Sequence, residues 1–302
     1  MTTVFFASDI HGRERFWRKF VNAAEFFQAD VLIFGGHMVG RGLQPLVRED
    51  SGQWRTVLGD AEFRARHPGE LEALETRALD AGLYPVRLTS GELEELQADR
   101  EAQHRLLAEQ GMRQVRRFTE LAEERLAPAG RRLIVIPGEH DPPEFREAAA
   151  DLPSITWMEL GTAWLDAHHE IVGQGPCASG DQAMVAALDA AVGGLDEVYQ
   201  SIFLFSTPPS ESGASRRLRP GNAALGLREA GEPSTPLVVR RTIETYQPLL
   251  SLHGGWVGEW RSMRIGRTIC LSPGSACEDG LLLGCLVKLS PHAVDAVQPV
   301  QG

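Results

Sequence analysis

The stretch from Val4 to Gly42 constrains the fold more than any other. It reads Val-Phe-Phe-Ala-Ser-Asp-Ile-His-Gly, then an amphipathic segment, then Asp-Val-Leu-Ile-Phe-Gly-Gly-His-Met-Val-Gly. Val4 to Ala7 and Val31 to Phe34 are apolar runs of buried-strand length. The segment between them is a crossover helix with Phe16, Phe20, Ala23, Ala24 and Phe27 at helical spacing, a face broad enough to cover one side of a sheet. The unit is therefore βαβ. In open α/β sheets ligands collect outside the carboxyl ends of the strands, and there this chain places Asp9 and His11 after the first strand and His37 after the second. A carboxylate and an imidazole spaced i, i+2 at a strand end aim at one point once Gly12 lets the backbone turn, which is a metal-site geometry.

A chain of 302 residues that is 43% apolar can bury one large core, so a single domain over 1–290 is expected, with an insertion over about 43–127 and a loose tail over 291–302. The formal net charge of −11 argues against general nucleic-acid or anionic-membrane binding. Cys177, Cys270, Cys277 and Cys285 form no CxxC pair and are too sparse for a disulfide scaffold. They read as buried small hydrophobes in a reducing cytosol. No basic leader precedes the first strand, and no run reaches the roughly 18 apolar residues of a membrane helix, so a cytoplasmic protein is expected.

Along the chain, Met38 to Leu46 has the Gly and Pro content of a loop leaving the sheet. Gln53 to Leu58 and Ala61 to Arg64 flank Gly59-Asp60 as a hairpin, Glu70 to Ala81 is a short helix, and Ser90 opens a long one with Glu92 near its start. Arg132 to Ile136 is the next strand and ends in Pro-Gly-Glu139-His140-Asp141-Pro-Pro. Ser201 to Phe205 is a fully apolar strand ending in Ser206-Thr-Pro-Pro, and a loop rich in Gly, Pro, Ser and Arg runs from Ser210 to Pro236. Leu249 to Leu252 is a strand ending in His253-Gly-Gly255-Trp-Val257.

These strand ends, in this order, resemble the calcineurin-like metallophosphoesterase family, whose motifs run DxH, GD, GNHD or GNDD, HxPP and GHxH. The resemblance covers most of Val4 to Leu289. It implies a four-layer α/β/β/α sandwich of two mixed sheets, with the insertion as a helical cap. It also implies a two-metal centre in which a carboxylate bridges both ions and a metal-bound hydroxide attacks a phosphoester. Matched residue by residue, Asp9 and His11 are kept. The bridging aspartate position holds His37, whose ring nitrogen has one lone pair and cannot bridge two ions. The asparagine position holds Glu139, and three histidine positions hold Ser206, Gly255 and Val257. The resemblance makes His140 the residue that contacts the phosphate and protonates the leaving group, and Asp141 the one that orients its other nitrogen.

Asp9, His11, His37 and Glu139 are thus the candidate ligands of at most one divalent ion, Mn, Zn or Fe, with a site that holds no metal as the other outcome. His253 and Ser206 are candidate ligand-binding residues. Arg216 and Arg217, in the loop after Pro209, are candidates to hold a phosphate by replacing charge that missing metals would have supplied. Each position also has a purely structural reading: a hydrogen-bonded polar pair for Asp9 and His11, a turn for His140 and Asp141, a solvated loop for the arginines. The leading functional reading is a metallophosphoesterase homologue with an eroded dinuclear centre that binds a phosphorylated small molecule with little or no turnover. The alternatives are a single-metal phosphoester hydrolase and an interaction protein working through the cap.

Overall fold

The computed structural model describes residues 1–142, 144–176, 181–210 and 236–302. The first sheet contains β1 (Thr2–Ala7), β2 (Val31–Phe34), β7 (Arg132–Val135), β8 (Ile155–Trp157), β15 (Leu283–Ser290) and β16 (Ala293–Gln301). Its spatial order is β16-β15-β1-β2-β7-β8. β1, β2, β7 and β8 run parallel, and β15 lies antiparallel to β1. As expected of a sheet covered on both faces, β1, β2 and β7 read as continuous apolar runs.

Alternate residues of these strands enter different clusters, as the two-residue side-chain period requires. Phe5, Ala7, Leu32, Phe34, Leu133 and Val135 pack against helices α1 (Glu14–Phe26), α4 (Arg100–Leu126) and α5 (Phe145–Ala149). Phe6, Ile33, Ile134 and Ile136 pack against a second sheet. That sheet contains β9 (Leu160–Trp164), β10 (Glu170–Gln174), β11 (Ile202–Phe205), β12 (Leu250–His253), β13 (Arg261–Ile265) and β14 (Thr268–Ser272), in the order β13-β14-β12-β11-β10-β9. Val172, Phe203, Phe205 and Cys270 of the second sheet meet α6 (Asp181–Val192) and α7 (Pro236–Tyr246) in a third cluster. The chain is thus a mixed α/β protein with apolar clusters on both faces of each large sheet.

Three expectations are corrected. The insertion is not a helical cap alone: β3 (Gly42–Arg48), β4 (Trp54–Leu58), β5 (Ala61–Ala65) and β6 (Leu83–Thr89) form a four-stranded sheet, flanked by α2 (Pro68–Asp80) and α3 (Ser90–Ala98). Gly42 and Pro45 disguised β3 as a loop. Proline is tolerated there because β4 pairs with β3 only through Val47 and Arg48, leaving the Pro45 position without that ladder.

Second, α4 belongs to the core. Trp17 stacks on Phe118 with ring centroids 5.1 Å apart and planes 7° apart, and its indole N–H donates to the Phe118 carbonyl at 2.8 Å. Third, the tail over 291–302 is strand β16, antiparallel to β15. A register irregularity between Lys288 and Leu289 puts Val294 and Val297 on one face at a spacing of three, while Val300 packs on the other face, which hid the strand from a search for strict alternation.

Candidate functional site at the strand tips

The loops after β1 and β2 are laced together by their backbones. Asp9 N–H donates to Gly36 O at 3.0 Å, His11 N–H to His37 O at 2.9 Å and Gly12 N–H to Met38 O at 2.8 Å. Of the non-glycine residues with positive φ, three lie here: Asp9 at 60°, His11 at 46° and His37 at 58°. Such conformations cost of order 1–3 kcal/mol each and persist where the surroundings fix them, typically at functional sites. Glycine is required where the loop after β12 crosses this lacing, because a Cβ on Gly254 would overlap the carbonyl oxygen of Gly35.

Asp9 is buried, and its Oδ2 receives two protein hydrogens: Ser8 Oγ–H at 2.5 Å and Gly255 N–H at 3.0 Å. Its Oδ1 faces His37 Nδ1 at 3.0 Å, at an angle that is not that of a straight hydrogen bond, and His11 Nε2 at 3.8 Å. The other nitrogen of His37, Nε2, accepts the Glu139 backbone N–H at 3.3 Å. An imidazole that accepts through Nε2 carries its proton on Nδ1, directed at Asp9. Burial lowers the His37 pKa, but the close negative charges, Asp9 first and then Asp141, more than offset this, so the ring is held above its usual value.

This arrangement does not fit a divalent ion. A histidine ligand needs a lone pair toward the metal and a donor on its far nitrogen, and His37 offers the reverse. Glu139 is exposed, and it meets His37 through its backbone N–H. Asp9 and His11 are left, fewer than the three protein donors of a catalytic zinc site. Among the described residues no group of three His, Cys, Asp or Glu side chains is placed to hold a metal. The expected ligand set of Asp9, His11, His37 and Glu139 is therefore only partly assembled.

The pairing of Asp141 with His140 is also corrected. The Asp141 carboxylate is buried and accepts the N–H groups of Met38 at 2.9 and 3.0 Å, Val39 at 3.0 Å and Gly138 at 2.8 Å. Its lone pairs are spent fastening the β2 loop to the β7 loop. His140 is half-buried beside His37, ring centroids 5.8 Å apart, and its pKa is lowered to about 4 by burial first, then by the charges of His37 and Arg41. His11 is fully buried and pushed down for the same first reason, with Arg41, His37 and Arg13 adding to it.

Ser206 is buried, its N–H bonded to Gln174 O at 3.2 Å, and a Cβ on Gly255 would press on its carbonyl at 2.5 Å. His253 donates from Nδ1 to Thr207 O at 3.2 Å and stacks on Phe205. Val257 and Gly255 bring no ligating atom. Arg216 and Arg217 lie outside the described residues.

Sequence reasoning missed groups around the tips that lie outside the motifs. Arg41 carries a side chain 20% exposed, reaches Glu278 at 3.4 Å, and its positive charge acts on His11, His37 and His140. Arg13 is buried, donating from Nε to Asp80 O at 2.9 Å and from Nη2 to Ala81 O at 3.1 Å. Behind the β1 loop, Gln114 Nε2 donates to Gly12 O at 2.6 Å, and Tyr84 O–H donates to Gln114 Oε1 at 2.6 Å. Tyr84 Oη accepts Gly40 N–H at 2.9 Å. The run Gly40-Arg41-Gly42 was the only sequence signal, a cation between glycines just past a strand tip.

The depressed histidines set a pH dependence. A base with a lowered folded pKa binds fewer protons folded than unfolded, so its stabilisation is present above about pH 6.5 and is lost as pH falls toward the folded value, about 4 for His140 and His253. His37 acts in the opposite sense, its contribution being lost as pH rises through its raised pKa. His11 joins the first side, and Asp141, whose carboxyl burial holds above its usual value, joins His37, so three groups stand against two. The melting temperature is expected to fall from about pH 6.5 to about pH 4.5, and to fall less in His253→Phe, which cannot gain the proton. Calorimetric scans of both proteins check this, and parallel curves would contradict it.

No protein-family model matches the sequence, and no curated protein matches it. Solved structures do. One crystal structure superposes with a TM-score of 0.58 at 18% identity, covering 99% of this chain and 98% of that one. The Thermus thermophilus protein TT1561 superposes at 0.55 and 17% identity, with the same coverage of 99% and 98%. An archaeal phosphodiesterase aligns at only 0.40 and 8% identity, over 99% of each chain, too slight a likeness to carry an argument. The chain therefore shares, end to end, the fold of TT1561, and the likeness extends to the fold alone.

Proposed function

We propose that this chain is a metallophosphoesterase-like protein of four-layer α/β/β/α architecture whose dinuclear centre has been replaced by a hydrogen-bonded carboxylate cluster. It binds a phosphorylated small molecule with little or no turnover. The single observation that carries this is the pair of protein hydrogens on Asp9 Oδ2. The Gly255 N–H comes from a position where the resembled motif has a ligating histidine, so a donor stands where a metal-directed lone pair is expected. The layer assignment rests on the alternation of β1, β2 and β7 between the helix-facing and sheet-facing clusters.

The phosphate reading rests on charge. Arg41 lies beside three histidines at the tips, partly exposed, and an arginine fork recognises a phosphate without a metal. His140 is half-buried and kept neutral by its surroundings, so it serves as a hydrogen-bond donor rather than a second cation. We place the protein in the cytosol because Cys270, Cys277 and Cys285 are buried thiols, unpaired among the described residues.

Titration of inorganic phosphate and of nucleoside monophosphates into the full chain by calorimetry tests the reading. Arg41→Ala is expected to weaken phosphate binding by about 10–100-fold, the worth of one charge-assisted contact, with the melting temperature held. Hydrolysis of an aryl phosphate with added Mn or Zn is expected to stay at the level of the no-protein control. Metal-stimulated turnover that disappears in Asp9→Ala contradicts the proposal, as does phosphate affinity unchanged in Arg41→Ala.

A further inference from the structure

A concavity lies on the second sheet, and Asp9, His11, His37 and Arg41 are not among its described walls. It has a volume of about 410 Å³, and His253, Trp260, Arg261, Ser262, Met263 and Ser272 are among its walls. That size falls within the range of small-ligand pockets. Its floor is one face of neighbouring strands: Arg261 of β13 pairs with Ser272 of β14, and Met263 with Cys270.

His253 is the unusual group. It is 1% exposed, it stacks on Phe205 with centroids 5.7 Å apart and planes 10° apart, and Nδ1 is committed to the Thr207 carbonyl at 3.2 Å. A carbonyl accepts only, so Nδ1 carries the proton and Nε2 keeps the lone pair. That Nε2 is buried and has no hydrogen-bond partner among the described residues. Burial holds the ring neutral, with a pKa lowered to about 4. A buried acceptor without a donor costs about 1–3 kcal/mol, so its presence calls for an explanation.

The chemistry of the walls narrows what supplies that donor. A phosphate or carboxylate brings no proton to the Nε2 lone pair, so the group that satisfies it carries an N–H or O–H. The indole of Trp260 and the thioether of Met263 offer apolar contact to a flat ring. The guanidinium of Arg261 lies over the Trp256 ring, 3.9 Å from its centroid, extending the aromatic surface. Ser262 and Ser272 add hydroxyls that serve either polarity.

We propose that this pocket is a binding site for an uncharged planar heteroaromatic group of nucleobase size, whose N–H or amino group donates to Nε2 of His253. The inference is independent of the phosphate reading, because the ligand it names needs no phosphate and the residues it uses do not include Arg41.

The test is titration of the full chain with adenosine, cytidine and uridine, followed by calorimetry and by the fluorescence of Trp256 and Trp260. His253→Phe keeps the stacking ring and removes the acceptor, and His253→Asn restores an amide oxygen. Saturable nucleoside binding is expected, weakened at least about tenfold in His253→Phe, with part of the loss recovered in His253→Asn and the melting temperature held in both. Absence of binding by all three nucleosides at millimolar concentration overturns the proposal, as does equal affinity in His253→Phe. Inorganic phosphate, titrated in parallel, should bind the wild type and His253→Phe alike; loss of phosphate binding alone would strike the strand-tip reading and leave this one standing.

Discussion

Asp141→Ala destabilises the protein by about 3–5 kcal/mol, since three backbone N–H groups are left buried without an acceptor and each such group costs about 1–3 kcal/mol before any water relieves it. Those groups belong to Met38, Val39 and Gly138, at the tips of two neighbouring parallel strands. Without the carboxylate the β2 and β7 loops lose their common fastening, and the positive-φ conformation at His37 loses the frame that holds it. For a chain of this size the melting temperature should drop by roughly 5–15 °C. Asp141→Asn should fall between wild type and Asp141→Ala, because the amide keeps one oxygen but turns an NH2 toward a backbone donor. Thermal and urea unfolding of the three proteins checks this. An Asp141→Ala variant as stable as wild type would show that the carboxylate is not a structural acceptor and would return it to the role of orienting His140.

Trp17→Ala is expected to cost a similar amount, about 3–5 kcal/mol, as for other large-to-small changes at buried aromatic positions. Trp17 has no exposed surface, packs on Phe20, Phe34 and Phe118, and its N–H satisfies the Phe118 carbonyl. It is one of the contacts through which α4, the last helix of the 43–127 segment, joins the helix-facing cluster. Trp17→Phe preserves most of the packing and loses the hydrogen bond, so a smaller loss of about 1–2 kcal/mol should follow. Both values come from denaturant midpoints at constant m. If α4 were a detachable cap, Trp17→Ala would leave the main transition in place and open only the insertion, giving two transitions instead of one lowered one.

The βαβ opening was legible because its residues obey a single rule: strands buried on both faces are continuously apolar, and the helix between them has one wide apolar stripe. Val4 to Ala7, Phe16 to Phe27 and Val31 to Phe34 all satisfy it. The hairpin over β4 and β5 was legible from Gly59, at a φ of 62°. Strand β6 was not, because it pairs with β3, far from it in sequence, and its burial alternates weakly. The start of α3 at Ser90 was legible, with Thr89 as its cap and Glu92 completing the box, but the break at Asp99 that separates α3 from α4 was not.

At the site, the strand-end positions of Asp9, His11, His37 and Asp141 were foreseen, but their partners were not. Whether a carboxylate faces a metal or a backbone N–H depends on loop geometry of a few ångströms, which residue identity does not encode. Asp141 is the clearest case, since an aspartate after a histidine reads equally as a catalytic orienter and as a loop fastener. Arg41, just before the insertion, and Tyr84, within it, escaped because they converge with the tips only in three dimensions.

Protein hydrogens, not divalent cations, satisfy Asp9. Crystals grown with millimolar Mn or Zn, with diffraction collected on either side of the metal's absorption edge, test it directly. No anomalous peak is expected within coordination distance of Asp9, His11 and His37, with Gly255 N–H still on the carboxylate. One ion bound there with His37 turned to offer it a lone pair, or two ions side by side, would contradict it.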